Sequence, residues 1–284
     1  MKKTILILAA ILVVVYLALS LLGAGGEYPA ERLLYRAMKT HAKIADNPDV
    51  APPWLIASVQ GGLKKLIAKY PKTFASKNAY IKLAEFQIFT KEYDDAFATI
   101  DDIMNKFGND QLIMSMAYFF RGNIYEKQGN WQKALKEFEV LKNKYANTEL
   151  GIGTPLYIAR YYRKKGESAE AANAYGEAAR FYERTGAENR GKALGYVASS
   201  LLLGAYMETG NYEKAGEALA ALFDNYPSPV TYSKFLAYVE QVYVEKLGKQ
   251  EKAIEIYKNI QNKTKDQKFK QFLEKRIDYL KAKN

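Results

Sequence analysis

The residues of this sequence that could carry out chemistry are few and lie far apart. There is one histidine, His41, and no cysteine. A thiolate nucleophile, a disulfide, an iron–sulfur cluster and a two-histidine metal site are therefore excluded. The paired acids Asp94-Asp95 and Asp101-Asp102 fall at a predicted turn and on an outer helix face, where carboxylates favour solvation and helix-start electrostatics. We predict no catalytic residue, no metal, no cofactor and a protein that is not an enzyme.

Three cations remain as candidate binding groups. Arg160, Arg163 and Lys164 have the spacing of successive turns of one helix, so at least two of them project from the same face. Such a face offers charge-assisted hydrogen bonds to an acidic segment or to a free carboxylate. The alternative is that these residues are ordinary solvated surface cations of a basic chain.

The composition is that of a folded protein with a moderate positive charge. The 284 residues are 49% hydrophobic and 26% charged, with a formal net charge of +11, so intrinsic disorder is not indicated. Much of the excess lies in residues 261–284, which contain eight Lys or Arg and three Asp or Glu. A basic stripe across a folded surface is missing, so we expect no nucleic-acid partner. An anionic surface or an acidic partner explains the charge as well.

The N-terminal segment has the length of a membrane span. Residues 4–22 form a run of 19 residues without a charge, and as a helix they would cover about 28 Å, close to the hydrocarbon thickness of a bilayer. Lys2 and Lys3 precede the run, which predicts a cytoplasmic N-terminus by the positive-inside rule. A signal peptide cleaved at the small residues 23–26 is the alternative. A buried core helix is a further alternative that the terminal position disfavours.

The rest of the sequence repeats itself. Aligned on one small residue, five units recur at intervals of 38, 37, 44 and 38 residues, which is the signature of a repeat architecture. Each unit reads as helix, tight turn and helix, with apolar residues at a helical period. The glycines between the two halves suit a left-handed turn, and small residues facing aromatic ones allow close helix approach. The aligned small residues are Ala96, Ala134, Ala171, Ala215 and Ala253.

These units resemble the tetratricopeptide repeat (TPR) family in their alternating small and aromatic positions and in the closing Tyr226-Pro227. The resemblance implies an all-α fold, a right-handed superhelix of helix pairs. It covers five repeats in residues 77–262. We assign residues 27–76 to a degenerate first pair, whose first helix would cover residues 29–45, and residues 263–284 to a capping helix. Residues 1–26 would be the anchor and a Gly-rich hinge. Repeat five departs from the pattern, with Val244 at an aromatic position.

The resemblance also implies a groove lined by the first helix of each pair. Carried onto this sequence, the groove-facing positions predict a binding surface of mixed character with a cationic centre. An acidic or carboxylate-ending protein segment is the partner that such a centre would accept. The partner-binding residues predicted in this way are Phe119, Asn123, Lys127, Leu156, Arg160, Arg163 and Lys164.

A membrane anchor followed by such repeats is similar to the membrane-anchored periplasmic TPR proteins of bacterial envelope complexes. This implies a noncatalytic protein-binding scaffold or accessory subunit in the inner membrane, with its repeats in the periplasm or otherwise outside the cytoplasm. The alternative is a secreted periplasmic TPR protein that binds cell-wall glycan, or acts as a chaperone, after signal cleavage. Because fold does not imply function, both are expectations.

Overall fold

Helices make up the regular structure of this protein. The computed structural model describes residues 26–44 and 48–282, and in that part of the chain it has thirteen α-helices and no strand. The all-α prediction is confirmed there. The chain divides into two compact units, the first ending at Thr148 and the second beginning at Glu149.

The first unit is a series of helices joined by short turns, in which each helix packs against the next. First helices of successive pairs also contact each other, namely α1 with α3 and α3 with α5. The helices are α1 (Glu27–His41), α2 (Pro53–Lys69), α3 (Phe74–Phe89), α4 (Tyr93–Phe107), α5 (Gln111–Lys127) and α6 (Trp131–Lys144). A short 3-10 turn, Pro48–Val50, precedes α2. This nearest-neighbour packing is typical of repeat arrays.

The second unit continues the same arrangement. Its helices are α7 (Glu149–Lys165), α8 (Ser168–Glu188), α9 (Ala193–Glu208), α10 (Tyr212–Asn225), α11 (Pro229–Val239), α12 (Gln250–Lys263) and α13 (Gln267–Ala282). A π-helical segment, Glu240–Lys246, extends α11. The last helix, α13, packs on α12, in the place where we predicted a capping helix.

The turns inside the helix pairs have the predicted left-handed conformation. Gly129, Gly166, Gly210 and Gly248 have φ angles between 63° and 76°. Only glycine adopts such angles without a steric cost. In the first of the five repeats the corresponding residue is Lys91, which has φ 63°. The turn geometry is therefore kept even where its preferred residue is absent.

Close contact between a small residue and a ring holds the paired helices together. Gly122 on α5 lies under Phe138 on α6, so that a methyl group added at Gly122 would stand 2.5 Å from Cε1 of the ring. Phe138 itself is completely buried. The five aligned alanines all lie in the second helices of their pairs and are all buried: Ala96, Ala134, Ala171, Ala215 and Ala253.

The fifth repeat recovers its missing aromatic residue by a local change of helix type. The sequence alignment puts Val244 at the aromatic position. In the structure, the π segment Glu240–Lys246 adds a residue to the turn, and Tyr243 is the ring that packs. Its Cζ would lie 2.9 Å from a methyl group added at Gly216. The expectation that this repeat lacks the ring is therefore wrong, because a straight α-helical register does not hold there.

The predicted membrane span, residues 4–22, lies outside the described residues. Among the helices of residues 26–44 and 48–282, none has both the length and the apolar character needed to cross a bilayer. The first described helix begins at Glu27 and ends at His41, against the predicted 29–45. The span and the domain boundaries stay predictions from the sequence.

The contact between Gly122 and Phe138 predicts the effect of one added methyl group. We expect Gly122→Ala to lower the free energy of unfolding by about 1–3 kcal/mol, because the ring must shift within a packed core. The matched control is Gly61→Ala in α2, where nothing lies within 4 Å of the added methyl. That change should raise stability by up to about 1 kcal/mol through helix propensity. Denaturant unfolding measures both, and equal effects would contradict the close-approach argument.

Candidate partner-binding surface

An interrupted helix positions the predicted cations of the second unit. Helix α7 contains Pro155, which has no N–H to donate and whose ring crowds the preceding turn. Tyr182 of α8 is fully buried and places its hydroxyl beside the proline. This oxygen accepts a hydrogen bond from the N–H of Leu156 at 3.3 Å and donates one to the carbonyl of Ile152 at 2.9 Å. The tyrosine thus bridges two groups that would bond directly in a regular helix, and α7 continues to its last turn.

Two arginines near the end of α7 bind a glutamate from the next repeat. Nε of Arg160 donates to both carboxylate oxygens of Glu208 on α9, at 3.0 and 3.2 Å. Nη2 of Arg163 lies 2.9 Å from the same carboxylate, and the hydroxyl of Tyr175 donates to it at 2.7 Å. The guanidinium of Arg163 also lies over the ring of Tyr175, 5.4 Å from its centroid. The structure therefore brings the two predicted arginines together, around a partner within the chain.

This pairing controls the ionisation of the cluster. Partial burial acts to raise the pKa of Glu208, but the hydrogen bonds from Arg160 and Tyr175 outweigh it, and the pKa lies below its ordinary value. Burial and the bond to the carboxylate raise the pKa of Tyr175 to about 12. At neutral pH the cluster therefore contains two positive charges and one negative charge, with a neutral tyrosine.

The arginine side chains remain accessible at their outer faces. Arg160 is 52% exposed and Arg163 is 50% exposed, whereas Glu208 is 22% exposed. Lys164 is exposed as well. A partner's carboxylate can reach these cations from solvent, but at the arginines it would compete with Glu208. The same cluster can therefore act as an internal clamp or as an anion-binding surface.

Glu208 is absent from our predicted set, although the sequence carries a signal for it. It lies two residues after the aromatic Tyr206, and the corresponding positions of repeats two and three are Lys127 and Lys164. Repeat four thus reverses the charge at a position that is basic in the two preceding units. A reversal of this kind next to a cationic helix indicates an ion pair between neighbouring repeats.

The predicted residues of the first unit lie on α5. Phe119 is half-buried, with its ring centroid 6.2 Å from that of Phe138 and 6.4 Å from that of Phe120. Asn123 is half-buried one turn later, and Lys127 is exposed at the end of the helix. These three residues form a surface that is partly apolar and ends in a cation.

Two residues singled out in the sequence have packing roles. Leu156 is only 1% exposed, so the structure does not bring this predicted groove residue to the surface. His41, at the end of the first helix, packs edge-on against Phe86 at 5.0 Å and Phe89 at 5.8 Å. Burial lowers its pKa. Within the described part of the chain, no group of three His, Cys, Asp or Glu side chains is placed to hold a metal.

The helix pairs and their small-to-aromatic contacts agree with a match in sequence. Two segments, residues 116–148 in the first unit and residues 200–229 in the second, match the family model of the tetratricopeptide repeat. The chain contains TPR repeats. TPR repeats are typical of noncatalytic scaffolds that bind other proteins. No curated protein matches the sequence.

Two solved structures are similar to this chain. One is a tetratricopeptide repeat protein from Parabacteroides merdae, 14% identical, with 89% of this chain and 87% of that chain covered and a TM-score of 0.40. The other is BtubC (BKLC) from P. vanneervenii, also 14% identical, with coverage of 84% and 89% and a TM-score of 0.42.

The Tyr182 bridge predicts a large effect from the loss of one oxygen atom. In Tyr182→Phe the N–H of Leu156 and the carbonyl of Ile152 lose a buried partner, and we expect the free energy of unfolding to fall by about 1–3 kcal/mol. Tyr35→Phe is the control, because that ring is exposed and its hydroxyl is free to meet water. Chemical denaturation measures both variants. Equal stability of Tyr182→Phe and the parent would contradict the bridge.

The low pKa of Glu208 predicts a pH-dependent contribution to stability. Since the folded-state pKa is depressed, this contribution is present above the unfolded-state pKa of about 4.3 and is lost as the pH falls through the folded-state value. We expect Glu208→Gln to cost about 1 kcal/mol at pH 7, a figure discounted for solvent screening. The cost should shrink towards zero below about pH 4.

The control for this comparison is Glu213→Gln. Glu213 pairs with Lys249 at 2.8 Å, but both side chains are more than half exposed, and such pairs contribute little. Thermal unfolding across a pH series would show the difference. A constant gap between Glu208→Gln and the parent at every pH would argue that the carboxylate charge is not what stabilises the cluster.

Proposed function

We propose that this protein is a noncatalytic scaffold or accessory subunit that binds other proteins through the first helices of its repeats. The proposal rests on the match of residues 116–148 and 200–229 to the TPR model, together with accessible cations at the ends of two first helices, Lys127 on α5 and Lys164 on α7. The noncatalytic part is supported by the sequence, which has no cysteine. Its one histidine, His41, is used for packing against two phenyl rings.

The proposed setting is the inner membrane of a bacterial envelope. Residues 4–22 would cross the bilayer once, with the N-terminus in the cytoplasm and the repeats in the periplasm. The uncharged run of 19 residues and the preceding Lys2 and Lys3 support this arrangement. A scaffold tethered in this way would gather membrane or periplasmic proteins into one complex.

The chemistry of the second unit favours an acidic partner segment. Arg160 and Arg163 already bind one carboxylate, that of Glu208, through ion pairs and directed hydrogen bonds. A partner carboxylate would find the same donors and Lys164 beside them. Because charge-assisted bonds of this kind set orientation as well as affinity, the cluster suits a segment that carries an aspartate, a glutamate or a free C-terminus.

Photo-crosslinking in intact cells tests the proposal. A photoreactive amino acid is placed at Lys127 or Lys164 on first helices, and at Lys136 or Glu177, which are exposed on second helices, as matched controls. We expect the first-helix positions to capture a membrane or periplasmic protein and the second-helix positions to capture none. Capture only from second helices would contradict the first-helix surface.

The acidic character of the partner is tested in the same cells. Glu208→Gln removes the internal competitor, and we expect it to increase capture at Lys164 because the arginines become available. Arg160→Gln with Arg163→Gln should decrease capture. If neither change alters the yield while Lys164 still captures its partner, the arginine cluster is structural and the partner binds elsewhere on α7.

A further inference from the structure

The first unit carries an exposed aromatic and cationic surface at the end where α1 begins. Tyr28 and Phe74 are 68% and 66% exposed, which is unusual for rings of this size. Lys69, the last residue of α2, and Lys72, in the turn that follows, are exposed as well. We call this surface the Gly26 patch, and its residues are Tyr28, Lys69, Lys72 and Phe74.

Hydrogen bonds hold the parts of the Gly26 patch together. The carboxylate of Glu27, the first residue of α1, accepts hydrogen bonds from the backbone N–H groups of Phe74 and Ala75 at 2.9 and 2.8 Å. It thereby caps α3, as an anion at a helix N-terminus does. Nζ of Lys69 lies 5.4 Å from the ring centroid of Tyr70. The starts of α1 and α3 and the end of α2 therefore form one surface.

Gly26 is the point at which the chain leaves this surface. Its backbone has φ 74°, and a methyl group added there would lie 2.7 Å from Cδ1 of Tyr70. The glycine is thus pressed against a ring that belongs to the α2–α3 turn. Leu22, the last residue of the predicted membrane span, comes only four residues earlier. Four residues reach at most about 14 Å even when fully extended.

We propose that the Gly26 patch rests on the lipid headgroups of the membrane that residues 4–22 are proposed to cross. This inference rests on the proposed anchor, whose short connection keeps the patch near the bilayer. Aromatic rings with exposed faces favour the headgroup region, and each lysine near an anionic surface adds an attraction of about 1 kcal/mol. The patch has both kinds of side chain, and the carboxylate of Glu27 beside it is hydrogen-bonded to the start of α3.

The same unit provides control rings that are equally exposed but lie further from the Gly26 patch along α1 and α2. Tyr35 is 66% exposed on the same helix as Tyr28, but about 10 Å further along its axis. Trp54 is 69% exposed in the first turn of α2, about 22 Å along that helix from Lys69. If the patch rests on the headgroups, rings at positions 28 and 74 are near the carbonyl ends of the acyl chains and rings at positions 35 and 54 are not.

Tryptophan quenching measures this difference. All four proteins are the full-length chain with Trp131→Phe. One keeps Trp54 as its single tryptophan. The other three also carry Trp54→Phe, together with Tyr28→Trp, Phe74→Trp or Tyr35→Trp. Each is reconstituted into phosphatidylcholine and phosphatidylglycerol vesicles that contain lipid spin-labelled near the carbonyl end of its acyl chain. We expect the proteins with Tyr28→Trp or Phe74→Trp to lose most of their fluorescence. The protein with Tyr35→Trp and the one that keeps Trp54 should retain nearly all of theirs.

The role of charge is tested by reversal. Lys69→Glu with Lys72→Glu should reduce quenching at position 74 in vesicles with phosphatidylglycerol, whereas Lys39→Glu with Lys43→Glu, at the far end of α1, should leave it unchanged. Equal quenching at all four tryptophans would mean that the unit lies on its side, which overturns the proposal.

Alkaline carbonate extraction of the same vesicles separates this inference from the proposed anchor. A chain that stays in the membrane but shows no quenching at positions 28 and 74 overturns the lipid contact, keeps the anchor and leaves the patch to a protein partner. A chain that carbonate releases overturns both.

If Trp131→Phe prevents folding, a second measurement replaces the first. The chain has no cysteine, so a polarity-sensitive fluorophore can be attached to Pro71→Cys, between Lys69 and Lys72 of the patch, or to Pro52→Cys at the opposite end of α2. On reconstitution into vesicles, the emission maximum of the fluorophore should shift to the blue only at Pro71→Cys.

Discussion

The close approach of paired helices is the constraint on which this structure depends. A ring can fill the space between two helices only if the facing residue has almost no side chain, as Gly122 has opposite Phe138. The buried alanines of the second helices meet the same requirement in every repeat. Because this requirement recurs at a fixed interval, the sequence shows it as a period, and the helices, their pairing and their glycine turns could all be predicted.

Departures from the period could not be predicted in the same way. Tyr243 reaches Gly216 because a π segment changes the helical register, and register is decided by packing that an alignment does not contain. Leu156 was carried onto the groove by its repeat position, but the proline at 155 and the bridge from Tyr182 belong to this chain and place it in the core. Of the candidate site, the sequence supplied the cations and missed the glutamate that they bind.

Ion pairs between neighbouring repeats help to determine which repeat packs against which. Several of them join residues about one repeat apart, for example Lys77 with Asp110, Lys249 with Glu213 and Lys263 with Asp224. Exposed pairs contribute little stability, but opposite charges in matching places favour one neighbour over another. The contact of Arg160 with Glu208 also joins neighbouring repeats, and it differs from these pairs because three side chains, Arg160, Arg163 and Tyr175, meet one carboxylate. The arginines that join these two repeats are the same ones that we propose as partner-binding residues.

The bridge from Tyr182 also ties the order of folding to the order of synthesis. A ribosome releases α7 before α8, and the hydroxyl that completes the hydrogen bonds of α7 comes 26 residues after Leu156. The first unit ends at Thr148, before α7 begins. A growing chain can therefore complete the helices of the first unit before the tyrosine that bridges the two groups beside Pro155 has been synthesised.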